Sequence, residues 1–354
     1  VIIALLGNST AVVFGAAGTP IRIGFAGLDI TSVPLLSSLI NCIGFIVPVF
    51  ILWVLTAQKS DHKQQFLEAL PFAIWSGVAF VVPSVLTVAL GQEFPSILGS
   101  IIGLFLIFLS ARFNIFMPKN IRPLRTVKAP SQIFPMLKAF FPYLLLIVLL
   151  ILGKFLFGSA NIFIPFGINH KINLFNPGFA LILAGLPFAL AWGSKKGVTS
   201  EAIKVALKRT IEPFLVIVSI SAVVQIMINS GQNLTGLPSS IALIAKSFEV
   251  SLLPFFAPFV GAFGSFITGS ATISNLMFGN FFSFASQVMG FGVGKILSLA
   301  LVGAAAGNMI ALADILSAEA VVGLKNEERQ VLKGVIVPCF IYVLLVGLVG
   351  MLII

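Results

Sequence analysis

The chain has 354 residues, of which 58% are hydrophobic and 9% charged, with a formal net charge of +10. A soluble domain is nearer a quarter charged, so these proportions exclude an ordinary water-facing surface and point to a protein embedded in lipid. The 21 basic residues sit mainly in short gaps between apolar runs and form no aromatic–basic face. That is how loops retained in the cytoplasm look, and no nucleic-acid partner is expected.

The chain opens at Val1 inside an apolar run, with no initiator Met and no basic leader, and is expected to lack N-terminal spans of a longer protein. The first departure from apolar sequence is Gly7-Asn8-Ser9-Thr10, with Phe14-Gly15 and Gly18-Thr19-Pro20 behind it. Arg22 and Asp29 follow, and Arg22 has three open partners: an anionic substrate, Asp29 or the lipid headgroups. A spanning helix needs roughly 20 apolar residues. This predicts spans at 32–57, 68–90, 94–111, 139–157, 176–192, 210–229, 252–267, 272–289, 296–316 and 332–354.

The loops orient these spans. Segment 112–138 holds Arg112, Lys119, Arg122, Arg125, Lys128 and Lys138 without an acid, and 193–209 holds Lys195, Lys196, Lys204, Lys208 and Arg209 against Glu201. Both are expected to be cytoplasmic, as is the loop with Lys59 and Lys63. Loops 91–93, 158–175 and 230–240 then fall outside. The last contains the sequon pattern Asn233-Leu234-Thr235, and 239–250, with Lys246 and Glu249, reads as an interfacial or broken-helix stretch. Gln225, Asn229 and Ser230 close a span as interhelical glue or a cavity lining.

Chemistry is expected where apolar periodicity breaks. The second break is Gly264-Ser265, then Thr268 to Asn275, including Ser270, Thr272 and Ser274, then Phe278-Gly279. Backbone at membrane depth stays irregular only inside protein or along a wet cavity, and paired Gly-rich breaks in two halves suggest discontinuous helices around a substrate site. Helix N-termini and hydroxyls there suit a carboxylate. The competing reading is close packing through small residues. The third break is Gly303 to Met309, containing Asn308, followed by Asp314 and Glu319. Ionisable groups inside a span suggest function, and Asp314 is the candidate for proton or cation handling, the competing reading being a helix-end carboxylate that reaches the interface. Glu319, nearer the basic stretch Lys325–Lys333, is expected at the interface.

Cys42 and Cys339 lie in separate apolar runs and His62 and His170 in separate loops, so neither a disulfide framework nor a metal site is expected. No catalytic constellation, nucleotide-binding sequence or cofactor fingerprint is present, which predicts a transporter without cofactors rather than an enzyme.

On these residues the sequence resembles the lactate permease family, bacterial proton symporters of L-lactate and related 2-hydroxymonocarboxylates such as glycolate. The carriers of the resemblance are Gly7-Asn8-Ser9-Thr10 through Gly18-Thr19-Pro20 and Gly27-Leu28-Asp29, Asn229-Ser230-Gly231, Gly261 to Asn275, and Gly303 to Met309 with Val322-Gly323-Leu324. In two places the chain departs from the family pattern: Ala271 stands where Asn is usual, and Ala313-Asp314 where a His-Asn pair is usual. Glu319 also replaces a Ser.

The combined expectation is an all-α integral membrane protein, a polytopic transmembrane helix bundle with inverted repeats and discontinuous helices. It is one domain over 1–354, with a first half at 1–111, a basic loop at 112–138 and a second half at 139–354 carrying a Gly/Ser-rich hairpin at 261–280. In a bacterial cell membrane it would carry a small 2-hydroxymonocarboxylate with protons. Asn8, Ser9, Thr10, Ser270, Thr272, Ser274, Asn275 and Asn308 are the expected substrate ligands. Another organic anion with another cation, or a passive anion channel, stays open at this point, as does a homo-oligomer.

Overall fold

A computed structural model describes residues 1–57, 59–118, 133–158, 160–166, 168–173, 175–192, 198–234, 236–240, 242–243, 252–324 and 326–353. Much of the basic loop (Lys119, Arg122, Arg125, Lys128), Lys195 and Lys196, and Thr235 of the sequon lie outside the described residues. So do Lys246, Glu249 and Lys325.

The chain divides into two compact units, residues 1–119 with 216–354, and residues 120–215. In the first, α1 (Ile2–Gly7), a 3-10 segment (Thr10–Phe14) and α2 (Gly15–Arg22) are followed by α3 (Val33–Ile40), a second 3-10 segment (Asn41–Ile46) and α4 (Val47–Thr56). Then come α5 (His62–Thr87) and α6 (Pro95–Phe113). In the second unit α7 (Ile133–Phe157) leads through a two-stranded antiparallel hairpin, β1 (Asn161–Phe166) and β2 (Ile168–Asn173), to α8 (Pro177–Trp192). The side chain of Asn176 caps α8, its Oδ1 accepting from the Gly178 N–H at 2.8 Å. Residues of α9 (Val198–Asn229) fall in both units. The first unit closes with α10 (Leu253–Thr268), α11 (Ala271–Met289), α12 (Val293–Gly307), α13 (Leu312–Val322) and α14 (Glu328–Ile353).

Each of the ten expected spans coincides with helix, and the fold is an all-α polytopic membrane bundle with a short hairpin in one connection. Six helical stretches among the described residues are long and apolar enough to cross a membrane. Three details differ from the sequence reading. The basic segment after 197 is not loop but the first turns of α9, whose 32 residues exceed what roughly 30 Å of hydrocarbon requires. The span at 32–57 is interrupted by the 3-10 segment Asn41–Ile46. The span at 296–316 breaks at Asn308–Ile310, also 3-10, before α13 begins.

The centre of the first unit is α12, in which every residue from Ile296 to Gly307 is buried. Its spacing of small residues explains the position. A Cβ added at Gly303 would overlap the Pro258 carbonyl, one at Gly307 the Ala262 carbonyl, and one at Gly261 the Ala300 carbonyl. Three glycines thus let α10 and α12 touch backbone to backbone, the arrangement small residues favour in membranes. Cys339 on α14 donates its S–H to the Ala306 carbonyl at 3.4 Å.

Candidate functional site

Three irregular segments of the first unit come together. At the first, α1 ends at Gly7 and the 3-10 segment starts at Thr10. Ser9 is buried, its hydroxyl donating to the Leu6 carbonyl at 2.8 Å. The Thr10 carbonyl accepts from Asn41 Nδ2 at 3.0 Å, and Asn41 Oδ1 accepts from the buried Tyr342 hydroxyl at 2.9 Å. The interruption of the span at 32–57 therefore has a use: it places the Asn41 amide against the break in the first segment.

The second is the turn between α10 and α11. Gly269 has φ +70°, a backbone open to glycine at little strain. Thr268 donates its hydroxyl to the Gly264 carbonyl at 2.8 Å and accepts the Ser270 N–H at 3.3 Å. Ser270 caps α11, accepting from the Ile273 N–H at 3.4 Å. Ser274 is fully buried and donates to the Gly261 carbonyl at 2.8 Å. Asn275, also buried, donates through Nδ2 to the Pro20 carbonyl at 3.0 Å, tying α11 to α2. Thr272 is half-buried in the first turn of α11.

The third is Asn308–Ala311. Asn308 is 8% exposed, and its Oδ1 has no hydrogen-bond partner among the described residues. Asp314 is half-buried in the first turn of α13, where the helix N-terminus favours a carboxylate. Two contacts join the three segments. Asn8 donates through Nδ2 to Asp314 Oδ2 at 3.1 Å, and a Cβ added at Gly269 would lie 2.9 Å from the Ala313 Cβ. The expected anion ligands are thus divided. Asn8 reaches Asp314, Thr10 lines a cavity beside the first break, and Thr272 and Asn308 stand at the second and third breaks, while Ser9, Ser270, Ser274 and Asn275 bond to backbone.

Arg22 has a partner that the sequence did not offer. Arg22 pairs with Glu93, Nη2 to Oε1 at 3.8 Å, rather than with Asp29. Asp29 instead accepts from the Thr31 hydroxyl at 2.7 Å and N–H at 3.0 Å, and these bonds hold its carboxyl below the usual range. Glu93 follows Gln92 in a short polar turn, and nothing in its local sequence signals a buried ion pair. Glu319 is 3% exposed, with Oε1 unpartnered among the described residues, and lies near Glu327 and Glu328 of the polar stretch before α14. Asn229 and Ser230 bond mostly within their own turn, to the Gln225 carbonyl at 2.8 Å and the Met227 carbonyl at 2.7 Å.

A cavity of about 340 Å³ adjoins the first break. Sequence reading found Thr10 on its wall but missed Asn41, Ser84, Ser96 and Ser100. Isolated serines in apolar helices carry no spacing signal. A smaller cavity of about 230 Å³ lies against α11 at Asn280, Ser283 and Gln287. Among the described residues no cluster of three or more His, Cys, Asp or Glu side chains is placed to hold a metal ion.

The profile of the L-lactate permease family matches the chain over residues 1–165 and 156–354. A relative from Haemophilus influenzae is 28% identical over 98% of this chain and 71% of its own length. An L-lactate permease of Streptococcus iniae is 29% identical over 78% of this chain and 60% of its own length. A glycolate permease of Escherichia coli is 24% identical over 98% of this chain and 70% of its own length. No solved structure matches.

Proposed function

Because the chain belongs to the L-lactate permease family, transporters and not enzymes, we propose that it carries a small 2-hydroxymonocarboxylate, L-lactate or glycolate, across the membrane together with protons. It is a multi-pass protein of a bacterial membrane. The names of the relatives from Streptococcus iniae and Escherichia coli support the substrate class. The observation that carries the coupling is the 3.1 Å hydrogen bond from Asn8 to Asp314.

That bond supplies a rule for order of binding. While Asp314 is ionised it occupies the Asn8 amide and repels a second anion. Once protonated, it donates to Asn8 Oδ1 and leaves the amide N–H groups to the substrate carboxylate. Anion and proton then cross together, and no net charge enters the bundle. No other charge faces Asp314 from α1, α10 or the 3-10 segment after α12, because these carry no charged side chain. The charged residues of α14, Glu328, Arg329 and Lys333, lie in its first turns. Ser270, Thr272 and Asn308 complete the carboxylate's ligands in this reading, and Thr10 contacts the rest of the substrate. The breaks at Asn8 and Gly269 serve as the tips of two repeats of opposite orientation, and the basic segments face the cytoplasm.

The test is uptake of labelled L-lactate in proteoliposomes with and without an inward proton gradient. The protein should accumulate lactate only with the gradient. Asp314→Asn should still exchange lactate but lose both accumulation and pH dependence, and Asn8→Leu should raise the half-saturation concentration about tenfold or more, as expected for a lost hydrogen bond to a charged group. Equilibration without accumulation in the unaltered protein would mean a passive pore. Undiminished pH dependence in Asp314→Asn would remove that residue from coupling.

A further inference from the structure

The cavity beside the first break is built differently from the meeting of the breaks, and the difference assigns it a part of the substrate. Its wall combines apolar side chains, among them Val47, Ile51, Phe80 and Val81, with the hydroxyl residues Thr10 and Ser84. No charged residue lines it. An ionised carboxylate left there without a counter-charge or a full set of donors would be strongly disfavoured, so the cavity does not suit the anionic end of any substrate. It suits a short alkyl group bearing a neutral hydroxyl.

Most polar groups on this wall are already bonded. Ser96 donates to the Ala11 carbonyl at 2.6 Å, Ser100 donates to the Ser96 carbonyl, and Asn41 is held between Thr10 and Tyr342. These groups already have partners. The hydroxyls of Thr10 and Ser84 have none among the described residues. Both are half-buried and both line the same space, Thr10 from the break and Ser84 from α5. Two unpartnered hydroxyls beside an apolar wall, next to the break that carries Asn8, fit an alcohol oxygen joined to a carbon adjacent to a carboxylate.

We infer that this cavity is the specificity pocket of the transporter, with Thr10 and Ser84 hydrogen-bonding the C2 hydroxyl of the substrate while Phe80 and Val81 pack its alkyl group. The inference rests on the transport of 2-hydroxymonocarboxylates proposed above. It explains how an acid with a 2-hydroxyl is told from the same acid without one: a wall hydroxyl facing an unhydroxylated analogue is left unpaired.

Reconstituted protein tests it through the ratio of L-lactate to propionate uptake. Ser84→Ala should transport lactate still, with the preference over propionate falling about tenfold, as one neutral hydrogen bond allows. Val81→Ala should improve uptake of 2-hydroxybutyrate relative to lactate, since one methylene is worth roughly tenfold or more in a fitted pocket. Labelling supplies a readout independent of uptake. With Cys42 and Cys339 replaced by Ala, a small thiol reagent should modify Ser84→Cys more slowly in the presence of L-lactate but not of propionate. Unchanged ratios in both uptake variants, or labelling slowed equally by both acids, overturn the pocket while leaving the transport reading intact. Absence of uptake of any 2-hydroxy acid by the unaltered protein overturns both.

Discussion

The segments Gly7–Thr10 and Thr268–Asn275 read alike in sequence, both small, hydroxyl-rich and set in apolar runs, yet they use their polar groups differently. At the turn between α10 and α11, Thr268, Ser270 and Ser274 turn their hydroxyls to backbone within α10 and α11, and Asn275 reaches the Pro20 carbonyl. At the first break only Ser9 is committed in that way. Asn8 reaches a carboxylate 306 residues away, and Thr10 lines a cavity. Composition therefore marks where backbone is irregular, while the destination of each hydrogen bond separates the side chains that hold a turn, such as Thr268, Ser274 and Asn275, from those left open to a ligand.

The largest effect is expected at the helix contact behind the turn. Gly303→Val should prevent a folded, monodisperse protein in detergent, because the added carbons meet the Pro258 backbone, which cannot yield as a flexible side chain does; overpacking of this kind typically costs about 1–3 kcal/mol and occasionally more. Size-exclusion chromatography and thermal unfolding would show it. An intermediate effect is expected for Asn275→Leu, which strands the Pro20 carbonyl and should cost about 1–3 kcal/mol, read as a lower melting temperature. The smallest and sharpest contrast is Ser274→Ala against Thr10→Val. The first should lower stability by about 1 kcal/mol with an unaltered half-saturation concentration for lactate. The second should raise that concentration with little change in melting temperature. The reverse pattern would exchange the roles given to the two side chains.

What the sequence made legible follows from what lipid demands. Span positions were readable because a fixed hydrocarbon thickness sets helix length, and the breaks were readable because small and hydroxyl residues stand out against apolar neighbours. The interruption Asn41–Ile46 was not, since a 3-10 turn in an apolar run leaves only Asn41 as a trace. Partnerships such as Arg22 with Glu93, or Tyr342 through Asn41 to Thr10, join residues far apart in the chain and have no local signature. The hairpin of β1 and β2 did leave one, in the short β-branched and aromatic run Asn161–Phe166, although a membrane reading directs attention to longer apolar stretches. Asp314 was visible as an ionisable group in a span, but its link to Asn8 needed the fold.

The interlocking of α10 with α12 also bears on how cargo could be moved. Two rods meshed backbone to backbone at Gly261, Gly303 and Gly307 have no slack to slide along one another by a fraction of a turn. They behave as a single stiff beam. Any stroke that exposes the cargo first to one side of the membrane and then to the other must bend at joints lying off that beam. The short segments at Ser9 and Ala311, where the chain has already left helical geometry, are the natural hinges.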